Sequence, residues 1–469
     1  VNLALVLEMA ADGLGGRVAF GSRGDSLTYA TLRDRATGVA AALEHEPHTV
    51  ALLAETSPLV PVALFGAAWA GVAYAPLNYR LPEEARAAQL ERLAPTVEAD
   101  PAWLHLPGDP GRRYPDDPDA PAVILFTSGT GAAPKAATLH HDQLTAYVLN
   151  TVEFASADED EAVLLAVPPF HIAGVAAVLS STYAGRRVVA LPRFSPEAWI
   201  DVAREEGVTH AFVVPTMLTR IVAAMEADPE RRVPSLRHLA YGGARMPAPV
   251  LERALSLFPD AGFVNAYGLT ETSSTVSVLG PDEHRVAHES DDPAVRARLA
   301  SVGRPVPGVE LRVVDGEIQV RGAQVAGDYL EHTAACDAEG WLRTGDRGFV
   351  DADGFVFVEG RGDDTIIRGG ENVAPAEVED ALLRHPAVAG AAVVGVPDEE
   401  WGERVGAMVV ARPGAELDVD DLRDFVRSHV GSLRTPEVLV VTEELPHTAT
   451  GKVLRRAVRA DLATRPTTG

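Results

Sequence analysis

The sequence predicts an α/β protein in two parts. A large N-terminal domain of mixed parallel sheets with helices plus a β-rich portion is followed by a small mobile α+β C-terminal domain. Three observations predict it. Between Ala122 and Ala266 short β-branched runs alternate with amphipathic segments, the pattern of crossover units on a mostly parallel sheet. After about residue 300 this gives way to paired strand signals around Asp-Gly turns. Past Arg361 the chain reads as a separate unit, reached through a short, polar, glycine-bearing join at Gly360 to Asp364. The boundaries are therefore 1–361 and 362–469, and 469 residues exceed one ordinary core.

In chain order, two uncharged stretches come first, Glu55 to Arg80 and Glu161 to Arg186. Each is long enough to span a bilayer, but Pro61 and Pro76 interrupt one, and Pro168, Pro169 and His171 the other. Both read as buried strand–helix segments. Buried strands are expected at 122–126, 187–191, 209–214 and 262–265. Helices are expected at 145–154, 196–206, 216–227 and 247–258. Two hairpins follow, 309–314 with 317–321 around Asp315-Gly316, and 348–351 with 355–359 around Asp353-Gly354. The last part offers a helix from near Pro375, strands near Ala391 and Arg404, and a helix from near Val419. A strand near Val438 and a basic helix from Val453 close it.

The charge balance narrows the partners. Hydrophobic residues make up 46% and charged residues 23%, the profile of a packed protein. The formal charge of -26 argues against nucleic acid or an anionic membrane surface, since both need a basic face. An anionic ligand must then be held by a local cluster of donors. A single cysteine, Cys336, excludes an intrachain disulfide and fits a reducing, cytoplasmic setting. No basic segment followed by an apolar run opens the chain, so no signal peptide is expected. The sequence allows a homodimer and says nothing further about assembly.

The strongest local signal is Phe126 to Ala137, F-T-S-G-T-G-A-A-P-K-A-A, directly after an expected strand. Backbone N–H groups, the hydroxyls of Thr127, Ser128 and Thr130, and Gly129 suit phosphate oxygens, and Lys135 adds a compact cation. It is not a Walker loop, which needs Gly-Lys-Ser/Thr, nor a dinucleotide fingerprint, which needs glycine where Pro134 stands. Only two lysines occur in the chain, this one and Lys452, and every other basic residue is arginine. Lysine has thus been kept where a compact ammonium differs from a guanidinium fork.

This loop resembles the phosphate loop of the adenylate-forming superfamily, which includes acyl- and aryl-CoA synthetases, peptide-synthetase adenylation domains and luciferases. Further segments match it in order: Pro168 to Gly174, Asn265 to Glu271, Trp341 to Asp346, Gly360 to Glu379 and Thr450 to Arg456. Here Gly131, Ala132 and Ala136 depart from the usual loop. The resemblance implies a ligase that joins a small-molecule carboxylic acid to ATP as acyl-AMP, then to coenzyme A, using Mg2+. It implies phosphate and nucleotide contacts from Thr127, Ser128, Gly129, Thr130, Lys135, Gly243, Ala244, Asn265, Ala266, Tyr267, Gly268 and Thr270. Asp346 and Arg361 would meet the ribose, and Glu271 the metal. The acyl pocket would be edged by His171, Ile172, Ala173, Tyr241, Gly242, Gly268, Leu269 and Thr275. Gly369, Gly370, Glu371 and Trp401 would face coenzyme A, Asp363 would be the hinge, and Lys452 the catalytic lysine.

The chemistry is coherent without the resemblance. Joining a carboxylate to a triphosphate is opposed by charge, so a lysine, hydroxyls and a cation on Glu271 are the groups it needs. His171 reads either as a pocket group or as a core histidine, and Trp401 as a coenzyme A platform or an ordinary surface aromatic. None of the pocket candidates is formally cationic, which predicts an acid with an uncharged tail. Two other functions share these motifs: loading of a carrier-protein thiol, and a nucleotide-binding relic without chemistry.

Overall fold

The computed structural model describes residues 1–465 apart from 23, 25, 44–48, 110, 118, 128–133, 331–335, 369–370, 399–400 and 449–450. Among the described residues the largest sheet has nine strands. Its centre, in the order Gly262–Leu269, His238–Gly242, His210–Val213, Ala162–Leu165, Arg187–Ala190 and Val18–Gly21, is parallel. Antiparallel strands close its edges, Ser274–Leu279 and Arg304–Pro305 on one side and Ser26–Thr28 on the other.

A six-stranded sheet orders Asp328–Tyr329, Lys135–His140, Pro121–Thr127, Tyr74–Pro76, Thr49–Leu52 and Thr96–Glu98. Its last four strands are parallel and its first two pairings antiparallel. A four-stranded antiparallel sheet follows, Val309–Val314, Glu317–Gly322, Leu342–Val350 and Val356–Arg361. The last part carries its own sheet, with Val388–Asp398 against Gly402–Ala411 and Val438–Thr442 alongside.

The alternating segments form the expected strands and helices, with ends shifted by a few residues. Two elements depart further: the strand expected at 262–265 runs Gly262–Leu269, and the helix expected at 145–154 spans His141–Thr151. The Gln143 side chain accepts the His140 N–H at 2.9 Å and starts the helix four residues early, in a turn too polar to show apolar periodicity. The uncharged stretches hold a strand and a helix each, Leu59–Ala70 with Tyr74–Pro76 and Ala162–Leu165 with Ile172–Ala184. No helix among the described residues is long and apolar enough to cross a membrane.

The cores follow the sheets. One joins the two large sheets through Phe65, Trp69, Tyr74, Leu125, Leu139 and Leu165. Another packs Trp199, Leu218, Tyr241 and Phe263 behind the parallel strands. The last part has cores of its own on both faces of its sheet, one around Val393, Val405 and Leu422 and one around Val394, Val438 and Leu462.

Candidate active site

The parallel strands end in a cluster of small residues because bulk there is forbidden. A Cβ on Gly268 would lie 1.7 Å from the Ser274 carbonyl oxygen, at the point where the register slips between Tyr267 and Gly268. Gly243, at φ +80°, turns the His238–Gly242 strand away from the sheet in a left-handed conformation. Asn265, on the neighbouring strand, anchors the rim by donating from Nδ2 to the Ser301 carbonyl at 3.0 Å.

Tyr267, Asp346 and Arg361 form one network. The tyrosine hydroxyl donates to Asp346 Oδ2 at 2.7 Å, and Arg361 Nε reaches Asp346 Oδ1 at 2.9 Å. The antiparallel pairing sets Asp346 opposite Arg361, and the guanidinium also donates to the Thr344 carbonyl at 2.7 Å. Burial raises the Asp346 carboxyl's pKa, while Arg361, Tyr267 and Lys452 act against that rise. A buried carboxylate with two donors already in place is a preorganised acceptor for a pair of hydroxyls.

The phosphate segment is a hairpin, with Thr127 paired to Lys135 across it. Ala136, which replaces a glycine of the family pattern, is fully buried within its second strand. Ser128, Gly129 and Thr130 lie outside the described residues. Lys135 Nζ lies 5.1 Å from the centre of the Tyr329 ring. The Tyr329 hydroxyl donates to Glu271 Oε1 at 2.8 Å. Sequence reasoning missed Tyr329. It stands 58 residues from Glu271 and in no motif, and only the pairing of Asp328–Tyr329 with the hairpin strand brings it in. Thr270 and Glu271 belong to a short 3-10 turn, whose Thr272 hydroxyl donates to the Ser274 carbonyl at 2.7 Å.

Glu271 is the carboxylate available to a cation here. No group of three His, Cys, Asp or Glu among the described residues could hold a metal alone. One carboxylate completed by phosphate oxygens is the donor set magnesium uses, so these residues fit a magnesium nucleotide.

Lys452 comes from the far end of the chain. It closes a turn in which the Thr448 N–H donates to the Lys452 carbonyl at 2.7 Å and Gly451 has φ +80°. That turn packs on the ends of the parallel strands. A Cβ on Gly451 would lie 2.8 Å from Thr216 Oγ1, and one on Gly243 would lie 4.0 Å from Lys452 Cε. The residue as a whole is exposed, while its ammonium end sits among the charged groups of the site. Desolvation first and the Arg361 charge second pull its pKa down, against Asp346 and Glu271. A second contact joins the same two parts: Arg245 Nη1 donates to Asp380 Oδ1 at 3.0 Å and to the Ala376 carbonyl at 3.2 Å.

His171 precedes the Ile172–Ala184 helix, its ring centre 4.7 Å from that of Phe170. Tyr79 packs edge-on against Phe170 at 5.6 Å, an aromatic neighbour the sequence did not single out. Among the described residues, buried His171 Nε2 has no hydrogen-bond partner. Burial, then Lys452 and Arg80, lower its pKa to about 4, so the ring is neutral at pH 7. Ile172 and Ala173 are partly buried against the first core. Gly242, Leu269 and Thr275 lie at or beside the strand ends, and Ala244 follows Gly243 on the exposed turn.

Tyr241 corrects an expectation. Its side chain is fully buried, with the hydroxyl 2.8 Å from His284 Nε2, so it faces the core and lines no pocket. Strand alternation turns it away from the side on which a ligand would sit.

The residues expected to face coenzyme A are not joined to this cluster by the contacts they make. Trp401 is 42% exposed, its ring under the Arg368 guanidinium at 5.3 Å and its backbone N–H donating to Asp398 Oδ1 at 2.9 Å. Glu371 is exposed on a short strand, and Gly369 and Gly370 lie outside the described residues. Asp363 lies in a 3-10 turn, Gly362–Asp364, directly after Arg361.

Comparison with known proteins agrees with this geometry. The family model described as AMP-binding enzyme matches residues 7–98 and 94–330, and that described as AMP-binding enzyme C-terminal domain matches 377–452. A feruloyl-CoA synthase from an Amycolatopsis species is 36% identical, covering 93% of this chain and 94% of the relative. A fatty acid–[acyl-carrier-protein] ligase from Streptomyces coeruleorubidus is 34% identical, over 93% and 92%. Among solved structures, the o-succinylbenzoate CoA synthetase from Bacillus subtilis with its acyl-adenylate intermediate superposes with a TM-score of 0.83. It is 27% identical, over 98% of each chain.

Proposed function

This chain belongs to the AMP-binding enzyme family, and from that premise we propose that it is an ATP-dependent carboxylic acid–CoA ligase. The observation that carries the reading is the docking of Lys452 from the chain's last part over Gly243, where Asp346, Arg361 and Glu271 act on its ammonium. A lysine brought there serves a reaction between two anions.

In the first step a carboxylate oxygen of the acid bonds to the α-phosphorus as the bond to pyrophosphate breaks. Lys452 spans the two reacting anions, and Lys135 meets the outer phosphates. Magnesium, when bound, supplies further charge neutralisation on the triphosphate, and Glu271 would hold it with its Oε1 steadied by Tyr329. Tyr267 offers its ring to adenine while Asp346 and Arg361 receive the ribose hydroxyls. His171, neutral and with Nε2 unpartnered, edges the acyl pocket as a hydrogen-bonding group. In the second step the sulfur of coenzyme A bonds to the acyl carbon, its proton passes to solvent, and AMP leaves.

The same lysine would obstruct the thiol. We therefore assign residues 362–469 to a mobile domain that turns about Asp363 against 1–361. The Gly369-Gly370-Glu371 face and Trp401 then serve the thioester step. The single cysteine and the substrates fit a cytoplasmic setting.

The acid follows from the pocket. Arg245, the nearest cation by sequence, is held by Asp380 and the Ala376 carbonyl in a cleft between the two parts of the chain. A second carboxylate on the tail would find no cation among the expected pocket residues; apart from Lys452, the charge that reaches His171 is that of Arg80. The lack of a cation among the expected pocket residues favours a neutral aromatic or aliphatic tail. A carrier-protein thiol is the second reading, favoured by the Streptomyces carrier-protein ligase. A panel of acids scored for AMP release alone, with coenzyme A and with a phosphopantetheinylated carrier protein tests all of this. We expect benzoate-type or medium-chain acids with coenzyme A to lead. Preference for malonate or succinate would overturn the neutral tail, and release only with carrier protein would overturn the acceptor.

A further inference from the structure

We propose that Tyr329 is a positioning residue for the first half-reaction. Its hydroxyl fixes Glu271 and its ring face holds Lys135, coupling the metal-site carboxylate to the phosphate hairpin before nucleotide arrives. This rests on the reading that Glu271 holds the cation and Lys135 meets the phosphates.

The backbone builds the coupling. Tyr329 pairs with Ala137 and Asp328 with Thr138, and the Leu330 N–H donates to the Ala136 carbonyl at 2.9 Å. Asp328 is further tied to His140, Oδ2 to Nε2 at 3.3 Å. At the other end of the same segment the Ala326 N–H donates to the Glu271 carbonyl at 2.7 Å. Buried Gln324 donates from Nε2 to the Thr272 carbonyl at 3.2 Å and the Thr275 carbonyl at 2.7 Å. Residues 324–330 therefore run as a brace from the Glu271 turn to the hairpin, and Tyr329 is the side chain that touches functional groups at both ends.

The chemistry suits that place. A phenol is a neutral donor, so it steadies one carboxylate oxygen at 2.8 Å without cancelling the charge and leaves Oε2 for a cation. Its ring attracts the Lys135 ammonium weakly at 5.1 Å, which orders the lysine yet lets phosphate take it. A phenylalanine would keep the ring and lose only the hydroxyl.

The test is ATP binding without acid, titrated with Mg2+, for the full-length wild type, Tyr329→Phe and Glu271→Gln. AMP binding and thermal unfolding serve as controls. For Tyr329→Phe we expect the half-saturating Mg2+ concentration to rise about tenfold, the size of one hydrogen bond to a charged group. AMP binding and unfolding should stay unchanged. Glu271→Gln should abolish the magnesium enhancement. A wild-type Mg2+ curve in Tyr329→Phe, with the enhancement lost in Glu271→Gln, overturns the role of Tyr329 alone. Enhancement that survives in Glu271→Gln overturns the metal reading beneath it. Loss of AMP binding together with stability in Tyr329→Phe would mean a purely structural tyrosine and also overturns the proposal.

Discussion

Lys452 shows how much one residue can be asked to do. Its Cε lies 4.0 Å from where a Cβ on Gly243 would stand, in ordinary contact with that turn. A guanidinium is wider and directs its donors in a plane, and it would enter beside Arg361, which already opposes the ammonium. Lys452→Arg should therefore slow acyl-AMP formation by roughly 10²-fold or more, the loss expected for a positioned transition-state donor. The same variant given acyl-AMP should make thioester at a near-normal rate. Because the lysine's pKa is lowered, its proton is lost at a pH below the usual lysine range. Adenylation should fall on that alkaline limb while thioester formation from supplied acyl-AMP does not. Pyrophosphate exchange against pH, measured beside the second half-reaction, checks both. The importance of the two lysines was legible because arginine fills every other basic position. The orientation of Tyr241 and the role of Tyr329 were not legible. One depends on which face of a strand meets the core, the other on a pairing between segments nearly two hundred residues apart.

Elements were readable where the chain repeats a period and obscure where it does not. The crossover units and the hairpin at Asp315-Gly316 follow apolar spacing and turn chemistry, and the structure has them. The second hairpin is longer than its signal, Leu342–Val350 against Val356–Arg361, because Thr344, Gly345 and Asp346 extend the strand with residues that look like loop. That extension carries Asp346 to Arg361, so the least strand-like residues supply part of the site. The element after it is the proposed hinge. Gly362–Asp364 is a short 3-10 turn between the Arg361 strand end and the last part of the chain. Proline at 363 fixes φ and removes an N–H in that turn. Asp363→Pro should leave acyl-AMP formation within a few-fold of wild type and cut thioester formation by at least tenfold, since only the second step needs the swing. Separate single-turnover assays of the two half-reactions decide it. Equal loss of both would put the pivot elsewhere.

At the scale of the whole molecule, charge and burial oppose each other as pH changes. The net charge of -26 makes the folded chain repel itself at neutral pH, and acidification relieves that. Buried histidines act the other way. His141 and His284 are 1% exposed, and burial lowers both to about 4. His171 is lowered to about 4 and His210 to about 3, again chiefly by burial. The local bonding of His284 agrees with a neutral ring, with Nδ1 2.8 Å from the Gly280 carbonyl and Nε2 2.8 Å from the Tyr241 hydroxyl. Nδ1 must be the donor there, which leaves Nε2 to accept from the tyrosine. Unfolded, each histidine takes a proton near pH 6.5, whereas the folded chain refuses it until about pH 4. The unfolded state thus binds more protons between those values, and stability rises with pH across that window. Their contribution is complete above about pH 6.5 and lost as pH falls through 4. Surface repulsion is long-ranged and screened by salt, while the buried groups are screened far less. Urea midpoints measured at moderate salt should therefore fall steadily from pH 7 to pH 4.5. His284→Gln, which keeps a donor and an acceptor, should make that fall shallower at the cost of a lower midpoint at pH 7. A midpoint that stays level or climbs on acidification would show that charge relief outweighs the four histidines.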